Sequence, residues 1–313
     1  MYAPELRFAV MGTTAHIVVV GGEEGLVDVA RHRIEDLETI WSRFRANSEV
    51  SRLNARSGDW VAVSPETVTL IERAETAWAL TGGTFDALVG CAVVALGYDR
   101  TFKSMSTNPT VSNVRSETNG SAVARPEVDA EGRIARVPAG ASFDPGGIGK
   151  GLAADIVVDE LMSMGAAGVL VNIGGDLVTR GKPPVGDIWA VALDEQKAGL
   201  DGSTVLRFGE GAVASSTSLK RTWRTTDGTV HHIVDPATGQ NPTGDVVLAC
   251  VVAGAGWWAE AAATSLVGGE MLIDPPPGCA VLLVDSHGTI RTYGDMDEYV
   301  GVAERQTLTE AIR

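Results

Sequence analysis

Hydrophobic and polar residues alternate near the start of the chain and then change to a helical spacing. Residues 6–21, LRFAVMGTTAHIVVVG, have the period of two that predicts an extended chain, and they read as two strands broken near Gly12. A helix is predicted from about 24 to 44, because apolar side chains recur there every three or four positions. Those side chains are Ala30, Ile34, Leu37, Trp41 and Phe44.

Three further helices are predicted downstream. Ser64 is a suitable N-cap and Pro65 suits the first helical position, so a helix is expected to start there and to end near the glycine pair at 82–83. The other two are expected at about 149–164, after the glycine-rich segment, and at 257–267, a stretch rich in small residues.

The rest of the chain reads mostly as strands and turns, including a buried strand at 168–175 and a closing hairpin at 280–294. Strands outnumber helices without regular alternation, which favours an α+β fold of mostly antiparallel sheets with packed helices over a doubly wound fold. The segment at about 102–126 is polar and non-periodic, but strand-like sequence resumes directly after it. We therefore expect a single domain over 1–313 with a polar surface excursion at about 102–126.

The 313 residues carry a formal net charge of −15. No basic surplus exists to offset phosphates, which argues against nucleic acid or an anionic membrane as the main partner but leaves a small anionic ligand possible. The N-terminus lacks a basic segment followed by an apolar one, and no segment is suited to span a membrane. As written, the chain is expected to be cytoplasmic, although an exported protein trimmed of its signal would look the same.

The segment FDPGGIGKGLAAD at 143–155 crowds four glycines and a lysine ahead of a predicted helix. It does not fit the Walker phosphate loop, because Gly151 follows Lys150 where Ser or Thr is required, and its glycines are too close together for the dinucleotide fingerprint. Glycines ahead of a helix can still present backbone N–H groups to an anion. The alternative is a helix-entry turn with no ligand.

Two other segments bring polar groups to the ends of apolar runs. The strand in VLVNIGGDL ends in Asn172, two glycines and Asp176. His231 and His232 lie on one predicted strand, and strand alternation sends them to opposite faces. At most one of these histidines should therefore face a site.

Glu260 and Thr264 are four residues apart, which places them on one face of the predicted helix at 257–267. A carboxylate and a hydroxyl are oxygen ligands suited to Mg²⁺, a hard cation that also binds phosphate oxygens. The alternative is a solvated glutamate with no ligand.

Together these segments resemble the ApbE-type flavin transferases, the FAD:protein FMN transferase family. MGT at 11–13 is similar to the family's opening motif, and SRFRANSEVSRLN at 42–54 is similar to its next segment. TGGTFDALVG at 81–90, then DPGGIGKGLAAD, NIGGD and HHIVDPATG, match further motifs in the family's order. The resemblance implies an ApbE-like, tunnelling-fold-like architecture, and it shows no usable match at about 102–126.

The resemblance implies Mg²⁺-dependent transfer of the FMN moiety of FAD to a Ser or Thr hydroxyl in the flavinylation motif of an acceptor protein, with release of AMP. By position, the catalytic residues would be His232, Asp176 and Lys150, with His232 helping to deprotonate the acceptor hydroxyl. The Mg²⁺ ligands would be Glu260, Thr264 and the backbone carbonyl of Gly149. The FAD pocket would be formed by Met11, Thr13, Phe44, Asp86, Gly147, Lys150, Asn172, Gly174 and Gly175.

Four positions depart from the family pattern. Glu260 stands in place of the common aspartate, Gly149 in place of an alanine and Phe44 in place of a tyrosine. Thr217 stands where a glycine often occurs. We expect an active enzyme with altered FAD affinity or acceptor choice. The alternatives are an FAD pyrophosphatase, which would give FMN and AMP, and a non-catalytic FAD-binding protein.

Overall fold

The computed structural model describes residues 3–105, 124–192, 205–226 and 228–300. The strands are β1 (Glu5–Val10), β2 (Thr13–Val20), β3 (Val61–Ala62), β4 (Glu127–Asp129), β5 (Ile134–Arg136), β6 (Gly168–Ile173), β7 (Asp176–Gly181), β8 (Trp189–Ala192), β9 (Val205–Phe208), β10 (Gly211–Thr217), β11 (Thr222–Thr225), β12 (Gly228–His231), β13 (Val246–Ala253), β14 (Ala280–Asp285) and β15 (Ile290–Tyr293). The helices are α1 (Leu26–Trp41), α2 (Glu49–Ala55), α3 (Pro65–Leu80), α4 (Gly90–Ala95), α5 (Gly149–Ser163), α6 (Gly256–Leu266) and α7 (Met296–Tyr299).

The centre of the fold is a sheet with eight strands within the described residues, in the order β1-β2-β6-β7-β10-β13-β14-β15. Every neighbouring pair in it is antiparallel. Smaller antiparallel sheets are formed by β3-β5-β4, by β8-β9 and by β11-β12. The predicted α+β fold with mostly antiparallel sheets is therefore confirmed.

The two faces of the main sheet have separate apolar clusters. Helices α5 and α6 pack on one face, where Ile17 and Val171 join Leu152 in the larger cluster. On the other face, Leu206 belongs to a smaller cluster with Leu282. Because helices cover one face and short strands the other, the polar ends of the central strands are left to form a cavity at one end of the sheet.

The first hairpin turns where the sequence predicted a break. Val10 pairs with Thr13, so Met11 and Gly12 form a two-residue loop. Both have positive φ, 50° and 67°, as a type I′ turn requires. Glycine adopts this conformation freely, whereas Met11 is a non-glycine residue held in it.

Helices α5 and α6 cross through two glycines. A Cβ atom on Gly151 would lie 2.2 Å from the carbonyl oxygen of Gly256, and one on Gly256 would lie 2.6 Å from the carbonyl oxygen of Gly151. Only glycine permits this backbone approach. The glycine-rich segment therefore serves helix packing as well as the cavity.

The four predicted helices are present, with bounds that differ by a few residues. The largest difference is at α1, which ends at Trp41 because Ser42 is extended, with φ −65° and ψ 118°. The prediction that Phe44 belongs to this helix is wrong, since it lies in the following loop and is 37% exposed. The helices α2, α4 and α7 were not predicted, because seven, six and four residues are too few to display a helical period.

The predicted polar excursion at about 102–126 falls largely on residues 106–123, which lie outside the described residues. Its start includes a 3-10 turn at Phe102–Ser104, and near its end Arg125 pairs with Asp86, a residue of the cavity considered below. Of the helices in the described ranges, none is long and apolar enough to cross a membrane.

Candidate active site

One cavity of about 1300 Å³ brings together residues from distant parts of the chain. Pockets for drug-sized ligands usually span on the order of 300–1000 Å³, so this cavity can take a larger molecule such as a dinucleotide. All of the site residues named from the sequence line it: Met11, Thr13, Phe44, Asp86, Gly147, Gly149, Lys150, Asn172, Gly174, Gly175, Asp176, His232, Glu260 and Thr264.

The cavity is locally basic on an acidic chain. Of the described residues that line it, seven are lysine or arginine and five are aspartate or glutamate, whereas the whole chain has 25 basic and 40 acidic residues. The basic lining residues are Arg7, Arg43, Arg45, Lys103, Lys150, Lys220 and Arg221. This bias suits an anionic ligand, because a cleft lined by one sign of charge concentrates ligands of the other sign.

Two turns of the main sheet form one wall. The Met11 N–H donates to Glu38 Oε1 at 2.8 Å, so α1 holds the first hairpin turn in place. In the β6–β7 turn, the Gly175 N–H donates to Asn172 Oδ1 at 2.8 Å. A Cβ atom on Gly174 would lie 2.7 Å from Thr13 Oγ1, so the two turns are packed directly against each other.

Lys150, Asp176 and Glu260 form a buried charge cluster. Lys150 Nζ lies 2.8 Å from Asp176 Oδ2 and also contacts Glu260 Oε1. The second carboxylate oxygen of Glu260 accepts from the Gly151 N–H at 2.7 Å. The three side chains are 18%, 6% and 2% exposed, in that order, so their charges compensate one another away from water.

The pKa values of Glu260 and Lys150 are both raised, Glu260 by burial and Lys150 by its carboxylate neighbours. Burial raises the pKa of Glu260 to about 7, although Lys150 works in the opposite direction. Burial also opposes the charge on Lys150, but the carboxylates of Asp176 and Glu260 outweigh it and hold the Lys150 pKa above its ordinary value. Lys150 is therefore a permanent cation in the cavity.

Thr264 lies one helical turn beyond Glu260 on α6, and both side chains reach the cavity. Its hydroxyl shares a hydrogen bond of 3.1 Å with that of Ser216. A Cβ atom on Gly147 would lie 3.2 Å from Thr264 Oγ1, so the glycine-rich segment runs directly over this hydroxyl. Glu260 and Thr264 therefore both line the cavity, as their four-residue spacing predicted.

The donor types at this point fit a hard cation such as Mg²⁺, which takes oxygen ligands. The described residues contain no cluster of three or more His, Cys, Asp or Glu side chains arranged to hold a metal ion. A site here would instead depend on one carboxylate together with a hydroxyl and a backbone carbonyl. Thr264, Glu260 and Gly149 can supply these donors.

The two histidines diverge as strand alternation predicted. His232 lines the cavity just after the end of β12. His231 does not line the cavity. Its Nδ1 accepts a hydrogen bond from the Ile233 N–H at 3.3 Å, and its backbone N–H donates to Asn241 Oδ1 at 2.9 Å.

His232 is neutral and has one ring nitrogen without a partner. Burial lowers its pKa to about 3, and the nearby positive charge of Arg221 lowers it further, against a backbone hydrogen bond to Lys220. Its Nδ1 is buried and has no hydrogen-bond partner among the described residues. The Lys220 bond therefore uses Nε2–H, which leaves the Nδ1 lone pair free to accept a proton.

Arg43 is a cavity residue that sequence reasoning missed. Its Nη1 donates to the Tyr98 carbonyl at 2.7 Å, and its Nε lies 3.1 Å from Asp144 Oδ2. The guanidinium carbon is 4.2 Å from the ring centroid of Phe44 and 4.6 Å from that of Tyr98. Its Nη2 is buried without a partner in the described part of the chain. Arg43 belongs to the segment at 42–54, but only the fold brings it to Tyr98 and Asp144.

Arg125 is the second residue that was missed, because it lies in the polar segment interpreted as a surface excursion. It donates to Asp86 through Nη1 at 2.7 Å and Nη2 at 3.1 Å, and to Glu75 through Nε at 2.8 Å. Its guanidinium carbon also lies 4.3 Å from the ring centroid of Trp78. Asp86 therefore faces the cavity as a carboxylate already paired with a cation.

Comparison with known proteins accounts for this combination of fold and residues. The model of the ApbE family matches residues 11–271. The chain belongs to the ApbE family. Its curated relatives include a Vibrio cholerae protein named FAD:protein FMN transferase, 27% identical, with 82% of this chain and 78% of that protein covered. A Treponema pallidum protein of the same name is 26% identical, with 88% and 82% covered.

Solved structures share the fold. The ApbE protein of Thermotoga maritima superposes with a TM-score of 0.82 at 24% identity, with 95% of this chain and 99% of that chain covered. The flavin transferase ApbE of Vibrio cholerae superposes with a TM-score of 0.76 at 23% identity, again covering 95% and 99%. The expected ApbE-like architecture is therefore confirmed for this member of the family.

Proposed function

We propose that this ApbE-family protein is a flavin transferase that moves the FMN moiety of FAD to a Ser or Thr hydroxyl of an acceptor protein and releases AMP. The observation that carries the proposal is the unpartnered Nδ1 of neutral His232 in the same cavity as the cation Lys150. The names of the curated relatives support the transfer of FMN from FAD to a protein.

In the proposed reaction, the acceptor hydroxyl oxygen attacks the phosphorus on the FMN side of the FAD pyrophosphate. The new P–O bond forms as the P–O bond to the AMP phosphate breaks, and AMP takes the bonding electrons. His232 Nδ1 accepts the hydroxyl proton, since a neutral imidazole can act as a general base. Lys150 faces the charge that develops on the phosphate oxygens, and stabilisation of that charge is the main source of rate in phosphoryl transfer.

Other residues of the cavity would hold and orient the reactants. Asp176 fixes the Lys150 ammonium group at 2.8 Å. Phe44 and Arg43 offer an aromatic ring and a guanidinium plane for stacking. Glu260, Thr264 and the Gly149 carbonyl would hold Mg²⁺, which would neutralise charge on the pyrophosphate when bound.

The test is incubation of the purified protein with FAD, in Mg²⁺ or in EDTA, with or without a Thr-containing acceptor domain. Nucleotides are separated by chromatography and the acceptor is weighed by mass spectrometry. AMP release with FMN covalently attached to the acceptor, lost in EDTA, is the expected result. Free FMN with AMP and an unmodified acceptor would indicate an FAD pyrophosphatase, and intact FAD in every reaction would indicate an FAD-binding protein.

A further inference from the structure

Where helices α5 and α6 cross, a carboxylate of each helix accepts hydrogen bonds from backbone N–H groups in the first turn of the other. Asp155 of α5 accepts from the Gly256 N–H at 2.8 Å and from the Trp257 N–H at 2.9 Å, at the start of α6. In the opposite direction, Glu260 of α6 accepts from the Gly151 N–H at 2.7 Å, at the start of α5. Each helix therefore supplies the carboxylate that caps the other.

The residues that precede these helices do not supply this function. The N-cap positions are Ile148 for α5 and Ala255 for α6, and neither makes a side-chain capping bond in the described structure. The first N–H groups of a helix have no partner within it, and a buried N–H without an acceptor is costly. Asp155 is only 8% exposed, so its bonds to α6 are shielded from competing water.

The crossing brings the backbones of α5 and α6 into direct contact. Gly151 and Gly256 are in backbone contact, too close for a Cβ atom on either residue. Asp155 holds the first two residues of α6, and Glu260 follows one helical turn after Gly256. The position of the Glu260 carboxylate next to Lys150 therefore depends on where the start of α6 is fixed.

We propose that Asp155 is a positioning residue for the active site: by capping α6 it sets the register of that helix on α5 and so places Glu260 and Thr264 in the cavity. The consequence for catalysis rests on the proposed function, whereas the positioning itself does not. Asp155 does not line the cavity among its described residues, so it acts through α6 rather than on a ligand.

The positioning is tested on the protein without ligands, by amide hydrogen exchange. In Asp155→Asn, one acceptor oxygen becomes an amide donor, and we expect the Gly151 amide to exchange at least about 10-fold faster, because the Glu260 carboxylate moves away from it. The matched control is Asp159→Asn, which removes the same charge one turn further along α5 from a side chain that is 71% exposed. Faster exchange confined to Gly256 and Trp257, with Gly151 unchanged, would show a purely local cap and overturn the proposal.

The reciprocal variant Glu260→Gln covers the case in which Asp155→Asn does not fold. A coupled pair predicts faster exchange of the Gly256 and Trp257 amides when Glu260 is changed, whereas independent caps predict no change there. Unchanged exchange at both amides would overturn the proposal in the same way.

The link to the reaction is tested by Mg²⁺ titration of FMN transfer at a temperature where circular dichroism shows every variant folded. We expect the half-saturating Mg²⁺ concentration to rise several-fold in Asp155→Asn and to stay unchanged in Asp159→Asn. If the Mg²⁺ titration of Asp155→Asn equals that of wild type, Asp155 contributes to stability alone, and its role in positioning the site is overturned. If the wild-type protein transfers no FMN, the proposed function fails, and the exchange experiment still decides the positioning.

Discussion

The ammonium group of Lys150 and the carboxylate of Asp176 face each other at 2.8 Å inside the protein, with Glu260 as a second acidic neighbour. A lysine between two carboxylates leaves the cluster with one excess negative charge if all three groups are ionised. Such a cluster is stable only while its partners remain together, because each charge has been removed from water.

Replacing Lys150 with methionine should destabilise the protein by about 3–5 kcal/mol at pH 7, the usual cost of leaving a buried charge without its partner. Burial already raises the Glu260 pKa to about 7, and loss of the lysine removes the group that lowers it. A carboxyl whose folded pKa is raised costs stability as pH rises from its unfolded value of 4.5 through the folded pKa, and in the variant that pKa is higher still, so the deficit relative to wild type should shrink as pH falls from 7 to 5. Urea unfolding at both pH values measures this, and an equal deficit at the two would contradict it.

Replacing Glu260 with glutamine should raise the half-saturating Mg²⁺ concentration for FMN transfer by at least about 10-fold. Loss of a group that only orients a metal ligand already lowers metal affinity by about 10-fold, and loss of the ligand itself should lower it at least as much. Glu260→Asp keeps the charge but draws the carboxylate back from Gly151, so we expect a smaller increase. The control is Glu270→Gln, at an exposed position after α6. A Glu260→Gln titration that matches this control would show that Glu260 is not a metal ligand.

The sequence predicted those parts of the site that depend on local geometry. Strand alternation separated His231 from His232, although β12 ends at His231, and the four-residue spacing in α6 placed Glu260 with Thr264. The contacts that complete the site join distant segments, and a single sequence does not show them. Arg125 reaches Asp86 from a segment without any period, because its position depends on a tertiary contact with Trp78.

Two details of the fold could not be predicted from local sequence patterns, namely the end of α1 and the capping between α5 and α6. The period of α1 continued in sequence to Phe44, but the backbone turns away at Ser42, and Arg43 instead finds acceptors on Tyr98 and Asp144. The exchange of caps between α5 and α6 likewise depends on a crossing of two helices that are far apart in sequence.

Replacing His232 with alanine should abolish FMN transfer while FAD binding stays within about threefold of wild type, since loss of a general base typically costs a factor of 10² to 10⁴ in rate. Binding is measured by quenching of FAD fluorescence and transfer by mass spectrometry of the acceptor. His231→Gln is the matched control, because His231 is the adjacent histidine directed away from the cavity. Normal transfer by His232→Ala would remove its proposed role as base.

Replacing Arg43 with lysine should weaken FAD binding by about 10-fold, although the charge is kept. Lysine cannot pair with Asp144 and donate to the Tyr98 carbonyl while stacking on the Phe44 ring, as the planar guanidinium does. The control is Arg31→Lys, on the exposed surface of α1, where the arginine pairs with Glu35 and its guanidinium carbon is 5.8 Å from the Phe8 ring centroid. Fluorescence titration with equal FAD affinity in both variants would show that the geometry of Arg43 is irrelevant to binding.

The buried His232 should make the protein sensitive to acid. Its folded pKa of about 3 lies below the ordinary 6.5, so the unfolded chain binds the extra proton first as pH falls. Stability from this group is complete above pH 6.5 and is lost as pH falls towards 3, with a slope of at most about 1.4 kcal/mol per pH unit. His232→Asn should therefore lose less stability than wild type between pH 6.5 and 4, as measured by urea unfolding.

The exposed His32 of α1 provides the control variant His32→Asn, whose profile should follow wild type. Parallel curves for all three proteins would mean that the pKa of His232 is not lowered by burial, and its assignment as a histidine that is neutral at rest would fail.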